Sequence, residues 1–136
     1  MSSLKIGVIS ILLLVSLNAS AVDRWFNQGV VNYGSRLFQQ NCAVCHGADA
    51  EGSNNWKQAD ANGNYPPPPL DGSAHAWHHS IPGLVRTIKQ GGIKLGGAMP
   101  PFANKLSDQD VLAVIAYFQS KWPDKIYAGW HQRNMQ

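Results

Sequence analysis

The sequence predicts a small all-α domain built of short helices and long loops. Three segments combine helical apolar spacing with capping residues, and no stretch shows the alternating pattern of a half-buried strand. Long stretches rich in Gly, Pro, Asn and Asp separate these segments and are typical of loops. The chain has 136 residues, the length of one domain. A domain of this size buries only a modest core from its side chains alone.

The first predicted helix covers residues 33–41 and begins at Asn32, whose side chain can cap the first turn. Gly34 and Phe38 are i, i+4 neighbours on its surface. Because glycine is costly inside a helix, Gly34 indicates a place where another helix comes close.

The second and third predicted helices have clearer ends. Residues 81–90 carry Pro82 in the first turn, and two glycines follow the last turn. The third helix begins after Ser107, which forms a variant of the capping box with Asp110. It ends at Pro123. Its predicted buried face consists of Val111, Ile115, Phe118 and Trp122.

Two long loops and a tail complete the predicted architecture. The loop 48–69 ends in four consecutive prolines, which favour a rigid extended chain. A connection of this length in a compact domain is usually functional or wraps around something. The second loop covers 91–103. The tail 123–136 carries Tyr127 and Trp130, and we expect it to pack on the body along a path that the sequence does not indicate.

The N-terminus predicts a secretory signal peptide over residues 1–21. Lys5 precedes an apolar run of 12 residues, and small residues before and at Ala21 form a cleavage site. We expect cleavage after Ala21 and a mature domain of residues 22–136. The alternative is a retained membrane anchor, but a spanning helix needs about 20 apolar residues.

The charge of the chain argues against nucleic acid as a partner. Eleven Lys and Arg and eight Asp and Glu give a formal net charge of +3. Loss of Lys5 with the signal peptide lowers that charge to +2. Nucleic-acid binding normally needs a far more basic surface.

Both cysteines of the chain lie in one pentapeptide, Cys42-Ala43-Val44-Cys45-His46. C-x-x-C-H is the attachment signature of c-type haem. Each thiol forms a thioether with a haem vinyl group, and the histidine becomes an axial iron ligand. Three residues advance a helix by roughly one turn, which brings both sulfurs to one porphyrin edge. The motif therefore predicts one covalent haem c on Cys42 and Cys45, with His46 as a ligand.

Other uses of a C-x-x-C pair fit the sequence less well. A zinc site normally has four ligands, and there is no second cysteine pair. A redox dithiol of the thioredoxin kind needs a βαβ pattern, which the sequence lacks. A structural disulfide between Cys42 and Cys45 is the remaining alternative. Haem attachment takes place outside the cytoplasm and so agrees with a signal peptide; the expected location is the bacterial periplasm.

Three motifs in chain order resemble the class I c-type cytochromes. They are G-x-x-L-F-x-x-x-C-x-x-C-H at 34–46, M-P-P-F at 99–102 and I-A-Y-F at 115–118. The resemblance covers about 33–122. It implies a small cytochrome c fold around one covalent haem, with an aromatic residue of the last motif packed beside Gly34.

The same resemblance implies that Met99 is the second axial ligand, and its surroundings agree. It follows a glycine-rich stretch, 96–98, that can approach a haem face closely. Of the other methionines, Met1 is lost with the signal peptide and Met135 adjoins the C-terminus. The alternative is that Met99 only fills the core. Methionine ligation raises the reduction potential. Because six-coordinate iron leaves no open position, we expect an electron carrier rather than an enzyme, and no small-molecule substrate.

The resemblance also implies two residues around the haem. In the family, a proline carbonyl in a P-x-L-x-G segment accepts a hydrogen bond from the ligating histidine. Residues 68–72 match this segment, so Pro68 is the candidate, with Pro67 or Pro69 as alternatives in the proline run. Trp77 is the candidate donor of an indole N–H to a haem propionate.

The segment with His75, His78 and His79 is the part least like the family. His78 or His79 are alternative propionate donors, or tune the potential with pH. With His75 they are candidates for a copper or zinc site, although we favour polar loop residues at the haem edge. A bis-histidine haem, in which one of them replaces Met99, is a further alternative.

The sequence therefore predicts a periplasmic monohaem cytochrome that carries one electron between redox proteins. Such partners dock transiently through small interfaces, and one of them can be a membrane oxidase or reductase complex. The first alternative is a haem subunit of a larger oxidoreductase complex, docked through the aromatic tail. The second is a haem enzyme or gas-binding protein, which would require Met99 to leave the iron.

Overall fold

A computed structural model describes residues 22–135 of the chain. The signal peptide expected over 1–21 lies outside the described residues. Two short 3-10 turns, Ala76–His78 and Ile93–Leu95, accompany the helices. From residue 22 to 135 the only β-type pairing is an isolated bridge between Tyr65 and Gly97, so the all-α prediction is confirmed. The helices are α1 (Gln28–Asn41), α2 (Ala43–His46), α3 (Ile81–Gln90), α4 (Asp108–Ser120) and α5 (Asp124–Asn134).

Helices α1 and α4 pack against each other in the centre of the domain. A Cβ atom at Gly34 would lie 1.8 Å from the carbonyl oxygen of Ala113, so any larger residue would force the helices apart. Beside this contact, the rings of Phe38 and Tyr117 have centroids 4.9 Å apart. The prediction that Gly34 marks a close helix contact is confirmed.

Helix α3 has the expected bounds, and α4 begins where expected but ends at Ser120, before the predicted end at Pro123. Ser80 caps α3, and Ser107 and Asp110 form a reciprocal capping box at the start of α4. The predicted start of α1 is wrong, because Asn27 rather than Asn32 is the N-cap and its side chain accepts a hydrogen bond from the first turn. Both asparagines are suitable caps, and the Gln-Gly-Val-Val between them shows no helical spacing that would decide between them.

The tail forms a helix, α5, which the sequence did not predict. Tyr127 and Trp130 on this helix are fully buried. The indole N–H of Trp130 donates to the carbonyl of His79 at 2.8 Å. The tail therefore completes the core by packing across the segment that precedes α3.

The first described residues hold the junction between α4 and α5. Arg24 donates to the carbonyl oxygens of Gln119 and Trp122 at 2.6 and 2.9 Å. It also forms an ion pair with Asp124 at 2.8 Å and lies 4.3 Å from the ring centroid of Tyr127. Arg24 thus ties the start of the described chain to carbonyl groups at and just beyond the end of α4. None of the helices in the described range is long and apolar enough to cross a membrane.

Candidate haem-binding site

The C-x-x-C-H motif lies where α1 ends and α2 begins. The N–H of Cys42 donates to Phe38 at 2.8 Å and closes α1, and the N–H of His46 donates back to the Cys42 carbonyl at 2.9 Å. The motif is therefore a single helical turn that carries all three side chains. Cys42 is half-buried and Cys45 is exposed, and both are free thiols without a disulfide.

The environment of Cys42 suits an uncharged sulfur. Burial and, to a smaller extent, Cys45 raise the pKa of the Cys42 thiol to about 11, against an opposite effect of Lys105. The thiol is therefore neutral at pH 7. A thioether is also neutral, so attachment to haem would bury no charge at this position.

His46 is held in the tautomer that a metal requires. Its ring is buried, and Nδ1 lies 3.0 Å from the carbonyl oxygen of Pro68. Because a carbonyl can only accept, Nδ1 carries the proton and Nε2 keeps its lone pair. Burial lowers the pKa of His46, against a smaller opposite effect of the Pro68 hydrogen bond. The ring is therefore neutral at pH 7, and this donor set fits haem iron.

Gly52 allows the proline segment to lie close to His46. Its N–H donates to the carbonyl of His46 at 2.7 Å. Its φ is 61°, and a Cβ atom there would lie 2.4 Å from the carbonyl carbon of Pro68. The Pro67 carbonyl instead accepts from the N–H of Ser53 at 2.9 Å. Of the prolines considered, Pro68 is thus the one whose carbonyl faces the histidine ring.

Met99 is held by the backbone of the loop between α3 and α4. Its carbonyl accepts the N–H of Gly92 at 2.9 Å, and the N–H of Gly97 donates to Gly92 at 3.0 Å. At Gly91, where φ is 78°, a Cβ atom would lie 2.6 Å from the Met99 carbonyl oxygen. The glycines therefore permit a tight loop, which leaves the Met99 side chain half-buried against the core.

The indole N–H of Trp77 has a partner within its own turn. It donates to the carbonyl of Ala74 at 2.7 Å. The ring of His78 packs on that of Trp77 with centroids 4.0 Å apart, and Arg133 lies 5.3 Å from the Trp77 ring centroid. A hydrogen bond from Trp77 to a propionate would therefore require the Ala74 contact to break.

The other histidines of this segment do not form a metal site. His75 stacks on Trp56 with centroids 5.0 Å apart and lies edge-on to His79 at 5.7 Å. Within 22–135, no three His, Cys, Asp or Glu side chains come together in a way that could hold a metal ion. The copper or zinc alternative is thus not supported, and the Trp56–His75 stack instead attaches the loop 48–69 to the segment before α3.

The sequence left two residues near the motif unassigned. Gln39 on α1 and Tyr117 on α4 both donate to the carbonyl of Ala48, at 2.7 and 3.0 Å. The two side chains are 78 positions apart. Helical spacing predicts which face of its helix each occupies, but it does not predict that both reach one carbonyl group.

Comparison with known proteins agrees with this geometry. The family described as cytochrome C oxidase, cbb3-type, subunit III matches residues 30–118. The chain is 30% identical over 101 residues to the cytochrome c subunit of alcohol dehydrogenase (quinone) from Gluconobacter oxydans, an alignment that covers 69% of this chain and 19% of that protein. It is 29% identical over 97 residues to the cbb3-type oxidase subunit FixP of Sinorhizobium medicae, covering 68% and 30%. It is 30% identical over 104 residues to the subunit CcoP of an Azospirillum species, covering 76% and 31%.

The chain spans less than a third of the length of these curated relatives. Among solved structures it resembles cytochrome CL from Methylophaga aminisulfidivorans, with a TM-score of 0.54 and 24% identity over 81% of this chain and 68% of that one. This likeness shows the fold. The family match includes both C-x-x-C-H and M-P-P-F. The chain therefore belongs to this cytochrome c family and is a class I c-type cytochrome, an electron carrier with one covalently bound haem c.

Proposed function

We propose that this cytochrome carries single electrons between redox proteins outside the cytoplasm, with His46 and Met99 as axial ligands and Cys42 and Cys45 as the thioether links. The observation that carries the proposal is the 3.0 Å contact between His46 Nδ1 and the Pro68 carbonyl, on a turn that also holds two free cysteines. It keeps Nε2 available to a metal. When bound, haem supplies a one-electron couple whose potential depends on its axial ligands.

The chain holds both proposed ligands with backbone contacts. The single turn of α2 and the Pro68 carbonyl restrain His46, while Gly92 restrains the backbone of Met99. Rigid ligand positions favour fast electron transfer, because little rearrangement accompanies a change of charge. Thioether ligation raises the potential, and two protein ligands leave no position for a substrate. These points favour a carrier over a haem enzyme.

The first experiment is an absorption spectrum of the oxidised and reduced holoprotein. We expect a low-spin haem whose ferric form shows the near-infrared sulfur-to-iron charge-transfer band of methionine ligation. The substitution Met99→Ala should abolish that band. Met135→Ala is the matched control and should leave it unchanged. A low-spin wild type without the band would assign the sixth position to a histidine such as His75, and a high-spin wild type would contradict the carrier function.

A second candidate is a haem domain or subunit within a larger oxidoreductase complex. The names of the relatives favour it, since each is a subunit of a dehydrogenase or an oxidase, and the chain spans only part of their length. In that case the redox partners are permanent neighbours. Size-exclusion chromatography of a native extract, followed by haem absorbance, distinguishes the two: a free carrier elutes near its own mass of 14.8 kDa or slightly below, and a subunit elutes with its complex.

Export to the periplasm with cleavage after Ala21 is part of the proposal. Haem attachment to C-x-x-C-H outside the cytoplasm supports it, as does the apolar run after Lys5. N-terminal sequencing of the holoprotein tests it. Val22 as the first residue is expected, whereas a retained Met1 would contradict cleavage.

A further inference from the structure

We propose that Tyr117 and Gln39 are positioning residues for His46. They hold the turn 48–50, and through it they keep the Pro68 carbonyl in hydrogen-bonding contact with the histidine ring. Their effect is to set the strength of that hydrogen bond and so the reduction potential. This inference rests on the proposed ligation of haem iron by His46.

Two helices reach the same carbonyl group just after the motif. The side-chain amide of Gln39 and the phenol of Tyr117 both donate to the Ala48 carbonyl oxygen, at 2.7 and 3.0 Å. The Gln39 amide also lies 3.3 Å from the Tyr117 hydroxyl. The Tyr117 ring is buried and packs on Phe38. Ala48 is therefore fixed relative to α1 and α4, the helix pair with the most extensive contact in the described fold.

The turn 48–50 is in turn hydrogen-bonded to the residue that follows the proline run. Ala50 is fully buried and has a φ of 63°, a backbone conformation that costs energy for any residue except glycine. Its carbonyl accepts the N–H of Leu70 at 2.8 Å. Because Leu70 directly follows the proline run, the position of the turn determines where the Pro68 carbonyl lies.

A third contact on the same face of α4 is weaker. The ammonium group of Lys121 lies 3.0 Å from Asp49 and 4.9 Å from the Tyr117 ring centroid. Asp49 is largely exposed, and exposed ion pairs contribute little. The buried phenol of Tyr117, together with the exposed side-chain amide of Gln39, therefore does most of the positioning.

The hydrogen bond to Nδ1 affects the metal through the imidazole ring. A strong acceptor makes the ring a more basic ligand, and a more basic ligand favours the oxidised state. If the turn loosens, the Pro68 contact weakens and the potential rises. The Nδ1 proton of His46 then exchanges faster with solvent, because exchange requires this hydrogen bond to open.

The test compares Tyr117→Phe with Tyr33→Phe in the holoprotein. Tyr33 also links α1 to α4 through its hydroxyl, which donates to Asp110 at 2.5 Å, but it does not touch the turn. In Tyr117→Phe we expect a higher midpoint potential and roughly fivefold faster exchange of the His46 Nδ1 proton, as for the loss of one hydrogen bond. In Tyr33→Phe both should match the wild type.

A second variant tests the same positioning role at the other donor to Ala48. Gln39→Met removes the other donor to Ala48 and should shift both readouts in the same direction. The double variant with Tyr117→Phe should be non-additive, because both donors share one acceptor. If Tyr117→Phe and Tyr33→Phe give the same potential and exchange rate, the positioning role is overturned. A wild-type spectrum without histidine ligation would overturn the proposed function as well, whereas a normal spectrum with unresponsive variants overturns the positioning role alone.

Discussion

Two regions of this cytochrome are held by different kinds of contact: the residues around the haem ligands, or ligand region, and residues 22–27 with α5, or terminal closure. The ligand region comprises residues 42–52, the prolines 66–69 and the loop 91–103. Backbone groups and glycines hold its ligands, as in the contact between His46 and Pro68, which are 22 positions apart. Side chains reach this region at the turn 48–50, where Gln39 and Tyr117 donate to Ala48. The terminal closure comprises residues 22–27 and α5.

Long side chains hold the terminal closure together. Arg24 reaches the end of α4 across 95 positions, and the N–H of Trp25 donates to the Tyr127 hydroxyl across 102. The Trp25 indole donates to the side chain of Gln119 at 2.7 Å. Haem geometry and domain stability therefore depend on largely separate sets of contacts in this protein. Substitutions in the ligand region should change spectra and potential, and substitutions in the closure should change stability alone.

The largest effect is expected from Gly52→Ala in the ligand region. The new Cβ atom would lie within 2.4 Å of Pro68 and would push its carbonyl away from His46. We expect a loss of about 3 kcal/mol in the free energy of unfolding, together with a higher midpoint potential. Denaturant titration and redox titration of the holoprotein measure the two.

Gly63→Ala is the matched control for Gly52→Ala. Gly63 also has a positive φ, 79°, but nothing lies within 4 Å of its Cβ position. It should lose only about 1 kcal/mol from backbone strain and keep the wild-type potential. An equal change of potential in both variants would show that Gly52 does not act through the prolines.

The second prediction concerns the terminal closure. Arg24→Ala removes the hydrogen bonds to the carbonyls of Gln119 and Trp122 and the ion pair with Asp124. We expect the free energy of unfolding to fall by about 2 kcal/mol, with the absorption spectrum and potential unchanged. Arg36→Ala is the control, since the contacts of Arg36 lie on the exposed surface of α1: a hydrogen bond of 3.4 Å to Asn32 and a cation–π contact of 5.6 Å with Tyr33. A shift of the midpoint potential in Arg24→Ala would show that the terminal closure also affects the haem site.

The same comparison explains what the sequence could predict. The ligand region appears in contiguous motifs, so the cysteines and His46 are recognisable from their spacing, and the P-x-L-x-G segment from the resemblance to class I c-type cytochromes. Both ends of α3 and the start of α4 were predictable because capping is local. The helix α5 was not, since its burial depends on Arg24 and on the His79 carbonyl, both far away in sequence. The Trp56–His75 stack was missed for a different reason, because loop residues have no periodicity that would place one ring on the other.

The smallest effect is expected at His75, which lies between the two regions. Its ring stacks on Trp56 in the loop that follows the haem motif, and the neighbouring His79 carbonyl binds Trp130 of the terminal closure. Burial lowers the pKa of His75, as do His79 and His78. Lys57, 5.1 Å from the Trp56 ring centroid, adds a further positive charge nearby.

Because the folded pKa of His75 lies below that of the unfolded chain, the unfolded state binds more protons in mild acid. The stability contributed by neutral His75 is therefore present above about pH 6.5 and is lost as the pH falls towards the folded pKa. Denaturant titrations of the holoprotein at several pH values should show that the free energy of unfolding falls more steeply with decreasing pH in the wild type than in His75→Phe. His79→Gln removes one neighbouring charge and should give an intermediate slope. Equal slopes in all three proteins would mean that the Trp56–His75 stack tolerates a charged ring, and that this link between the regions does not respond to pH.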